Sequence, residues 1–433
     1  MQTSLQGIAE KARRQPEYRF LNLYTMLNEE NLLDSWRYLK KDAASGIDRV
    51  SARAYEEHLA ENISSLVECL KRRSYRAKLV RRQYIPKGEG KYRPLGIPAI
   101  EDKLLQKAVS RILEAIFEQE FLVYSFGYRP NVGAQDAVGE LTYELQFGWY
   151  GYVIDADIKG FFDNLDHDWL IKMLSLRIRD NAFLRLIRKW LKAGILDTDG
   201  KVLHPATGTP QGGIVSPVLA NIYLHYVLDL WYEKVVRPRS GDSYLCRYAD
   251  DFVCLFRYRQ DAERFYRELP ERLVKFGLRI SAEKTRIVRF TKHRMRDQSR
   301  FDFLGFEFRW ARNRKGKPQV KRRTSRKKLR QSLRHFTEWC RENRNLPLRL
   351  LFSSLNSKLR GYYNYYGVID NSESLREFFS QAVQTLFKWL NRRSQRRSYN
   401  WTGFRAMLEH YGLERPRITE RRRRQLKAQL ALS

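Results

Sequence analysis

Residues Tyr244 to Phe256, YLCRYADDFVCLF, contain two short apolar runs on either side of the tetrapeptide Tyr248–Asp251. Aromatic and β-branched residues that flank turn-forming residues predict a tight β-hairpin. The predicted turn displays two adjacent carboxylates, Asp250 and Asp251. Two aspartates at a hairpin tip are by themselves typical of a solvated turn, because aspartate tolerates turn geometry and supplies its own hydrogen-bond acceptors. A catalytic interpretation therefore needs a second acidic element beside the hairpin.

Such an element lies earlier in the chain. Residues Tyr152 to Ile158, YVIDADI, form an apolar stretch interrupted by Asp155 and Asp157, which predicts a strand. Buried carboxylates are costly unless a cation compensates them, and Mg²⁺ binds through one or two carboxylates plus substrate phosphates. Two such ions about 4 Å apart serve nucleotidyl transfer. Because Asp155 and Asp157 share one face of the strand, periodicity leaves both open as the metal ligand.

Three sequence motifs carry a resemblance to a known protein family. They are YADD at residues 248–251, DADIKGFFDNLDHD at 155–168 and GTPQGGIVSPVLANIY at 208–223, supported by blocks at 84–98, 125–130, 277–285, 303–306 and 361–366. In this order they resemble the reverse transcriptases encoded by bacterial group II introns, over roughly residues 20 to 370. The resemblance is to the members that lack the HNH endonuclease domain.

The resemblance implies an α+β fold of the right-hand polymerase type. Residues 1–50 correspond to an RNA-binding N-terminal extension, and 51–310 to the fingers and a palm with an antiparallel sheet. Residues 311–395 correspond to an α-helical thumb or maturase (X) domain. Residues 396–433 are expected to form a short basic tail that binds nucleic acid.

The resemblance also implies roles for individual residues. Asp157, Asp250 and Asp251 are the expected ligands of two Mg²⁺ ions, with Mn²⁺ as an expected substitute, and Lys284 is expected to protonate the departing pyrophosphate. The residues expected to bind the nucleotide are Lys87, Arg93, Phe162, which would exclude the ribose 2′-hydroxyl, and Gln211. Those expected at the template and primer are Arg129, Gly212, Leu304, Gly305 and Phe306. For Arg129, a purely structural role in its loop is equally open.

The charge of the chain points to a polyanionic partner. The formal net charge is +33 with a pI near 10.1, and residues 311–433 hold 31 Lys and Arg against 8 Asp and Glu. Lys and Arg that displace phosphate counterions bind nucleic acid without reading its sequence. We expect group II intron RNA, an RNA template, a DNA primer or target, and dNTPs as partners, with the oligomeric state left open. No apolar run of about 18 residues and no signal peptide are seen, so we expect a cytoplasmic protein without a membrane partner.

Local patterns predict the remaining elements. We expect a β-ribbon with a basic face at 77–98 and strands at 278–280 and 301–308. Apolar residues at helical spacing predict helices at 102–117, 183–196, 218–230 with a Ser216 cap, 262–276, 322–333, 348–359 and 375–390. The tyrosines at 362–366 favour packing over stacking on nucleic acid. The arginine clusters at 392–397 and 421–424 indicate either a nucleic-acid-binding tail or solvated ends. The four cysteines form no CxxC pair, which disfavours a zinc site or a disulfide framework.

These observations predict RNA-templated DNA synthesis, in which a primer 3′-hydroxyl attacks the α-phosphate of a dNTP. The resemblance adds a maturase role in intron splicing and a role in retrohoming. Two alternatives stay open at this point: a maturase that binds intron RNA without catalysis, and a domesticated relative that serves defence or repair.

Overall fold

The structure is a computed structural model that describes residues 4–88, 91–204, 206–209, 212–293, 299–393 and 398–420, without the side chains of 87, 88 and 91. In chain order the strands are β1 Val80–Gly88, β2 Lys91–Ile97, β3 Tyr152–Asp157, β4 Ile195–Leu196, β5 Val202–Leu203, β6 Ser243–Tyr248, β7 Asp251–Phe256, β8 Arg286–Arg289, β9 Arg300–Phe303, β10 Phe306–Arg312 and β11 Pro318–Thr324. The helices are α1 Leu5–Arg14, α2 Glu29–Arg37, α3 Ala52–Glu56, α4 Leu59–Lys71, α5 Ile100–Phe117, α6 Ala134–Phe147, α7 His167–Ser175, α8 Asn181–Leu191, α9 Ser216–Leu224, α10 Arg237–Arg239, α11 Arg259–Val274, α12 Arg326–Asn343, α13 Leu348–Tyr366, α14 Ser372–Leu390 and α15 Trp401–His410. In the described part of the chain, no helix is long and apolar enough to cross a membrane.

The N-terminal helices pack against the rest of the protein through their apolar faces. Ile8, Ala12, Leu32 and Trp36 are buried, and α1 and α2 contact α5. Arg177 ties this region to the helices that follow β3, since its guanidinium donates to the backbone carbonyl of Tyr18 at 3.1 Å. Packing therefore explains the apolar residues of the N-terminal helices. Contact between RNA and the exposed face of these helices stays a prediction.

The region between residues 80 and 290 contains two β-sheets. The predicted basic ribbon is the antiparallel pair β1–β2, and β1 also pairs in parallel with β4, which pairs with β5. The second sheet is antiparallel and has the order β6-β7-β3-β8. The hairpin predicted from YLCRYADDFVCLF is β6–β7, and the second acidic stretch is β3, in the middle of the same sheet. Both predictions are confirmed.

Two strand predictions are wrong. Residues 278–280 form no strand, and only Ile280 makes an isolated bridge, to Ile158. Residues 301–308 are not one strand but two, β9 and β10, joined by a turn at Leu304 and Gly305. These two residues have φ values of +50° and +80°, as in the two-residue turns that match the twist of a hairpin. The apolar alternation continues through the turn, so the pattern alone did not reveal it.

The helix predicted at 218–230 begins earlier and continues further. It starts with Ser216 itself, so Ser216 is not the cap, and its hydroxyl lies 2.7 Å from that of Thr209. The helix continues through π-helical turns at His225–Asp229 and Tyr232–Val236 into α10. π-helical turns inside helices are rare and often occur at functional sites. Here the first of them places Asp229 in the protein interior, fully buried.

The C-terminal region is helical with one strand that the sequence pattern missed. Helices α12, α13 and α14 correspond to the predicted segments, but the first begins at Arg326 because Arg322 belongs to β11. Buried Arg322 donates to Glu420 at 2.5 Å and so holds the end of the described chain against this sheet. The predicted boundary at residue 310 falls inside β10. The segment 401–410, predicted as part of a basic tail, is helix α15, whose Trp401 stacks on Phe387 of α14.

The tyrosines at 362–366 pack inside this helical region, as predicted. Tyr362 stacks on Phe378 with 3.7 Å between ring centroids, and Tyr363 is fully buried. The Arg421–Arg424 cluster and residues 394–397 lie outside the described residues.

The π-helical turn makes a testable pH-dependent contribution to stability. Burial of His225 lowers its pKa to about 4, and the charges of Arg247, Arg129 and Lys234 act in the same direction while that of Asp229 opposes them. A histidine that is neutral in the fold and protonated when unfolded destabilises the fold as the pH falls below its unfolded pKa of about 6.5. We expect this to cost about 2 kcal/mol between pH 7 and pH 5.

The measurement is thermal unfolding of wild type and His225→Gln at both pH values. The variant should lose less stability on acidification than wild type does. The exposed His335 on α12 provides a control, since His335→Gln should leave the pH dependence unchanged. Parallel pH profiles for wild type and His225→Gln would contradict the assignment.

Candidate active site

The turn between β6 and β7 presents the two adjacent aspartates. Tyr248 pairs with Asp251 across the hairpin, so Ala249 and Asp250 form the turn. Ala249 has φ +56°, in the left-handed region that a side chain rarely adopts. The backbone of Gly127 lies so close to Ala249 that a Cβ at position 127 would overlap the amide nitrogen of Ala249. The turn is therefore supported from outside by the loop that contains the predicted block 125–130.

A buried arginine supports the turn from inside. Arg247, the residue before Tyr248, is fully buried and forms a two-pronged ion pair with Asp229, at 2.7 and 2.5 Å. Its Nη1 also donates to the carbonyl oxygen of Ala249 at 3.1 Å. The guanidinium thus binds the strained residue of the turn directly, while its position is set by the helix that carries Asp229.

The same guanidinium connects the turn to two further elements. It donates to Ser125 Oγ at 2.6 Å and to Asn221 Oδ1 at 3.1 Å. Asn221 in turn donates to the carbonyl oxygen of Gly127 at 2.6 Å. Bidentate, charge-assisted hydrogen bonds define both distance and orientation. Helix α9, the 125–130 loop and the aspartate turn are therefore joined by one buried network, which we call the Arg247 network (Arg247, Asp229, Asn221, Ser125).

The register of the sheet brings a third carboxylate to the turn. Asp157, the last residue of β3, lies directly opposite Asp251 of β7. Asp155 lies opposite Val253 instead, and on its other side it faces Arg286 of β8, 3.8 Å away. The register thus separates the two aspartates that periodicity left equivalent: Asp157 is at the turn, and Asp155 is two residue pairs further along the sheet.

A lysine lies beside this group of carboxylates. Lys284 Nζ is 2.6 Å from Asp157 Oδ2, and the hydrogen bond to Asp157 raises the pKa of Lys284, helped by the charges of Asp157, Asp251 and Asp250. The surrounding protein raises the pKa of Asp251 to about 6, although part of its side chain stays exposed, and the neighbouring charges of Asp250 and Asp157 add to the rise. The carboxylates of the site therefore repel one another.

These residues fit a divalent metal ion. The three carboxylates are oxygen donors only, which hard cations such as Mg²⁺ prefer, and their mutual repulsion is the reason that a cation would bind. In the described ranges, no three His, Cys, Asp or Glu side chains already enclose a common point. That is consistent with Mg²⁺, which usually binds through one or two carboxylates and completes its shell with water and substrate oxygens.

Two aromatic side chains lie next to the carboxylates. Phe162 is half-buried in a 3₁₀ turn after Gly160, whereas its neighbour Phe161 is buried. The ring of Tyr128 packs edge-on to Phe162 with 6.3 Å between centroids. The residue before Tyr128, Gly127, packs against Ala249 of the aspartate turn, which places Tyr128 beside that turn. Burial raises the pKa of Tyr128, and the charge of Asp250 adds to the rise while that of Arg93 opposes it.

Tyr128 is the residue that sequence reasoning missed. The block SFGYRP was recognised, but the prediction went to Arg129, the residue that follows. Tyr128 has φ +58°, rare for an aromatic residue and often found at functional sites. Arg129 is mostly buried, and it donates to Glu118 and to the carbonyls of Leu122 and Ser125. The described contacts of Arg129 are structural, and contact with a template stays a prediction without support from them.

The other predicted residues are distributed around this centre. Arg93 is exposed on β2, whereas Gln211 and the side chain of Lys87 lie outside the described residues. Gly212 has φ +111° and approaches Gly96 of β2 so closely that a Cβ would lie 2.6 Å from its carbonyl oxygen. The backbone of Gly212 therefore packs closely against the β1–β2 ribbon. Leu304 and Gly305 form the β9–β10 turn, and Phe306 is fully buried, so its ring can contact only protein.

An antiparallel sheet that joins three carboxylates at a hairpin turn, with a basic ribbon before it and a helical region after it, defines a template-directed nucleic acid polymerase. Residues 85–308 match the family described as reverse transcriptase (RNA-dependent DNA polymerase), and residues 326–407 match the group II intron maturase-specific domain. The chain belongs to the reverse transcriptases encoded by group II introns, and it is an RNA-directed DNA polymerase with a maturase domain.

Individual relatives agree with this assignment. The group II intron-encoded protein LtrA of Lactococcus lactis is 31% identical, over 79% of this chain and 69% of that protein. Protein YkfC of Escherichia coli K12 is 34% identical, over 56% of this chain and 71% of that protein. A putative COX1/OXI3 intron 1 protein of Saccharomyces cerevisiae is 27% identical, over 70% of this chain and 44% of that protein. The maturase-specific match includes most of α15, within the segment predicted as a tail.

Proposed function

We propose that this chain copies RNA into DNA with Asp157, Asp250 and Asp251 as the ligands of two Mg²⁺ ions. The observation that carries the proposal is the register that places Asp157 opposite Asp251 at the turn that also holds Asp250. When bound, the two ions activate the primer 3′-oxygen and stabilise the charge of the leaving pyrophosphate. The protein positions the reactants and stabilises the charge of the transition state, and these two effects account for most of the catalysis of phosphoryl transfer.

The neighbouring side chains have distinct roles in this reaction. The primer 3′-oxygen forms a bond to the α-phosphorus of the dNTP, and the bond between the α- and β-phosphates breaks. Lys284 donates a proton to the pyrophosphate that leaves, since a lysine ammonium is protonated at neutral pH and Lys284 lies beside the carboxylates. Arg93, together with Lys87 and Gln211, binds the triphosphate before the reaction, since Arg contacts phosphate oxygens in pairs.

The second part of the proposed function concerns the intron RNA. The maturase-specific match and the net charge of +33 support binding of group II intron RNA, help with its splicing, and a role in retrohoming. The proposed division is an RNA-binding extension (1–50), fingers and palm (51–310), thumb or maturase domain (311–395) and basic tail (396–433). Its boundary at 310 falls within β10, and α15 belongs with the helices of the maturase domain. The site of action is the bacterial cytoplasm, on nucleic acid.

The test is incorporation of dNTPs on a primed RNA template with Mg²⁺, with EDTA and Mn²⁺ as the comparison conditions. Extension that requires the metal supports the proposal, with Mn²⁺ expected to substitute. Tight binding of RNA without extension under any metal condition would instead favour a maturase that has lost its chemistry. Extension by a chain whose coding region has no intron RNA around it would favour a domesticated enzyme.

Phe162 should decide between deoxyribonucleotides and ribonucleotides. Its half-buried ring lies against Tyr128 beside the carboxylates, where a bulky group can exclude a 2′-hydroxyl. We expect Phe162→Ala to raise the efficiency of ribonucleotide incorporation relative to dNTPs by about 10- to 200-fold, the range that steric discrimination of a small group provides. The measurement is kcat/KM for a matched NTP and dNTP pair.

The neighbouring Phe161 provides the control for this prediction. Its ring is buried, so Phe161→Leu should lower stability and leave the discrimination unchanged. Unchanged discrimination in Phe162→Ala would remove Phe162 from this role.

A further inference from the structure

The turn that carries Phe162 is held by a second segment of the chain. Residues Phe161–Asp163 form this turn, and residues 207–209, which we call the supporting segment, run beside it. The amide of Thr209 donates to the carbonyl oxygen of Phe162 at 2.8 Å. The hydroxyl of Thr207 donates to the carbonyl oxygen of Asp163 at 3.0 Å. Two backbone carbonyls of the Phe162 turn therefore each accept a hydrogen bond from the supporting segment.

The middle residue of the supporting segment, Gly208, touches the turn directly. Its φ is +90°, and a Cβ at this position would lie 2.8 Å from the carbonyl oxygens of both Phe162 and Asp163. Its amide donates to the carbonyl oxygen of Leu165 at 2.7 Å. Only glycine fits this conformation and this close approach. The two backbones are in contact, so a shift of the supporting segment changes the position of the Phe162 turn.

Two buried side chains fix the supporting segment. The Nε2 atom of His167, the first residue of α7, lies 2.6 Å from the carbonyl oxygen of Gly208. Because a carbonyl oxygen can only accept, this nitrogen carries the proton and donates it. The hydroxyl of Thr209 lies 2.7 Å from that of Ser216, the first residue of α9. The supporting segment is therefore held between the starts of two helices.

The position of the Phe162 ring depends on the backbone beneath it. The ring is half-buried, and its neighbours Phe161 and Tyr128 meet it edge-on, with 5.4 and 6.3 Å between ring centroids. A ribonucleotide differs from a deoxyribonucleotide by one oxygen atom at the 2′ position. A displacement of about 1 Å is enough to change a reaction that depends on exact positions. Exclusion of the 2′-hydroxyl by this ring therefore requires that its turn cannot retreat.

We propose that His167 and Thr209 are positioning residues for sugar discrimination: they hold the supporting segment against the Phe162 turn and so keep the ring where it excludes a ribose 2′-hydroxyl. This inference rests on the proposed function, because it requires that Phe162 meets the sugar of the incoming nucleotide. His167 and Thr209 are only 7% and 4% exposed, so both act through the protein backbone and not by contact with the nucleotide.

The test measures binding of the next complementary dNTP and of the matching NTP to the protein on a primed RNA template. The primer ends in a dideoxynucleotide, so no bond forms and the ratio of the two Kd values reports discrimination alone. His167→Leu and Thr209→Val should each lower this discrimination by about 3- to 10-fold, the factor that one hydrogen bond provides. His167→Gln keeps an N–H donor and Thr209→Ser keeps the hydroxyl, so both should retain most of the wild-type ratio.

A double variant shows whether the effect passes through Phe162. Phe162→Ala removes the ring and should lower discrimination more than either single variant does. Adding His167→Leu to Phe162→Ala should cause no further loss, because the group that His167 positions is already absent. The supporting segment also leads to Gln211, which is predicted to bind the nucleotide. A further 3- to 10-fold loss in the double variant would show that His167 acts through another group such as Gln211, and would overturn the proposal.

The control for a general loss of stability is Tyr232→Phe. The hydroxyl of buried Tyr232 donates to Ser243 at 3.1 Å, at the end of the β6–β7 hairpin away from the aspartate turn. Removing it also deletes one hydrogen bond, and the melting temperature should fall while the ratio of Kd values stays at the wild-type value. Equal losses of discrimination in Tyr232→Phe and His167→Leu would show that discrimination follows stability in general, and would overturn the positioning role.

Failure of this inference and failure of the proposed function give different results. Wild-type discrimination in both His167→Leu and Thr209→Val, together with reduced discrimination in Phe162→Ala, would overturn the inference and leave the proposed function intact. A wild type that shows the predicted ratios but does not extend a normal primer would contradict the proposed function and support the inference.

Discussion

Asp157→Asn is expected to lower the rate of primer extension by about a thousandfold, which corresponds to about 4 kcal/mol of lost transition-state stabilisation. Asparagine keeps the size and shape of the side chain but removes the charge opposite Asp251 that would hold a divalent cation. Lys284, 2.6 Å away, also loses the negative charge of its partner. Single-turnover incorporation of one dNTP on primed RNA measures the effect, and binding of RNA should change little. Asp250→Ala should behave in the same way.

The matched control is Asp155→Asn. Asp155 lies on the same strand and the same face, two residues earlier, but it faces Arg286 and Val253 instead of the turn. Removing its charge should change the rate by less than about tenfold, since only a distant electrostatic effect is lost. A large loss in Asp155→Asn together with a small loss in Asp157→Asn would show that the metal binds two residue pairs away from the proposed position.

Arg247→Met is expected to lower the free energy of unfolding by about 3–5 kcal/mol, the usual cost when one partner of a buried ion pair is removed. Asp229 would then be a fully buried carboxylate without its guanidinium partner. Thermal unfolding measures the loss. Arg257→Met is the control at the other end of the same hairpin. Its pair with Asp242 is exposed and should contribute less than about 1 kcal/mol.

A double variant separates the stability of the fold from the position of the aspartates. Arg247→Met combined with Asp229→Leu replaces the ion pair by an apolar pair, which can restore much of the stability. Extension should stay impaired, because the carbonyl of Ala249 and the side chain of Asn221 still lack their donor. Wild-type extension by the stable double variant would show that the Arg247 network serves only the fold.

The elements predicted correctly from sequence are those whose signal is local. The β6–β7 hairpin, β3 and α5 each combine an apolar pattern of one period with clear turn or helix ends, and the structure contains all three. The β9–β10 hairpin was missed because Leu304, an apolar residue at positive φ, hides the turn inside an alternating pattern. Arg322 was placed on a helix because basic residues suit either element, and only its burial against Glu420 distinguishes them.

The sequence by itself determined that three aspartates lie on a strand and a hairpin, that the chain is strongly basic, and, through its motifs, the family. The pattern of the strand left Asp155 and Asp157 equivalent, and the family resemblance favoured Asp157. Only the tertiary structure gives the physical reason, since it places Asp157 opposite the hairpin, and strand register depends on contacts between residues far apart in the chain. It also decided that Arg247 is a buried anchor and that Tyr128 lies beside Phe162. A single charged or aromatic residue has no periodicity to reveal its partners, so its role follows from what surrounds it in space.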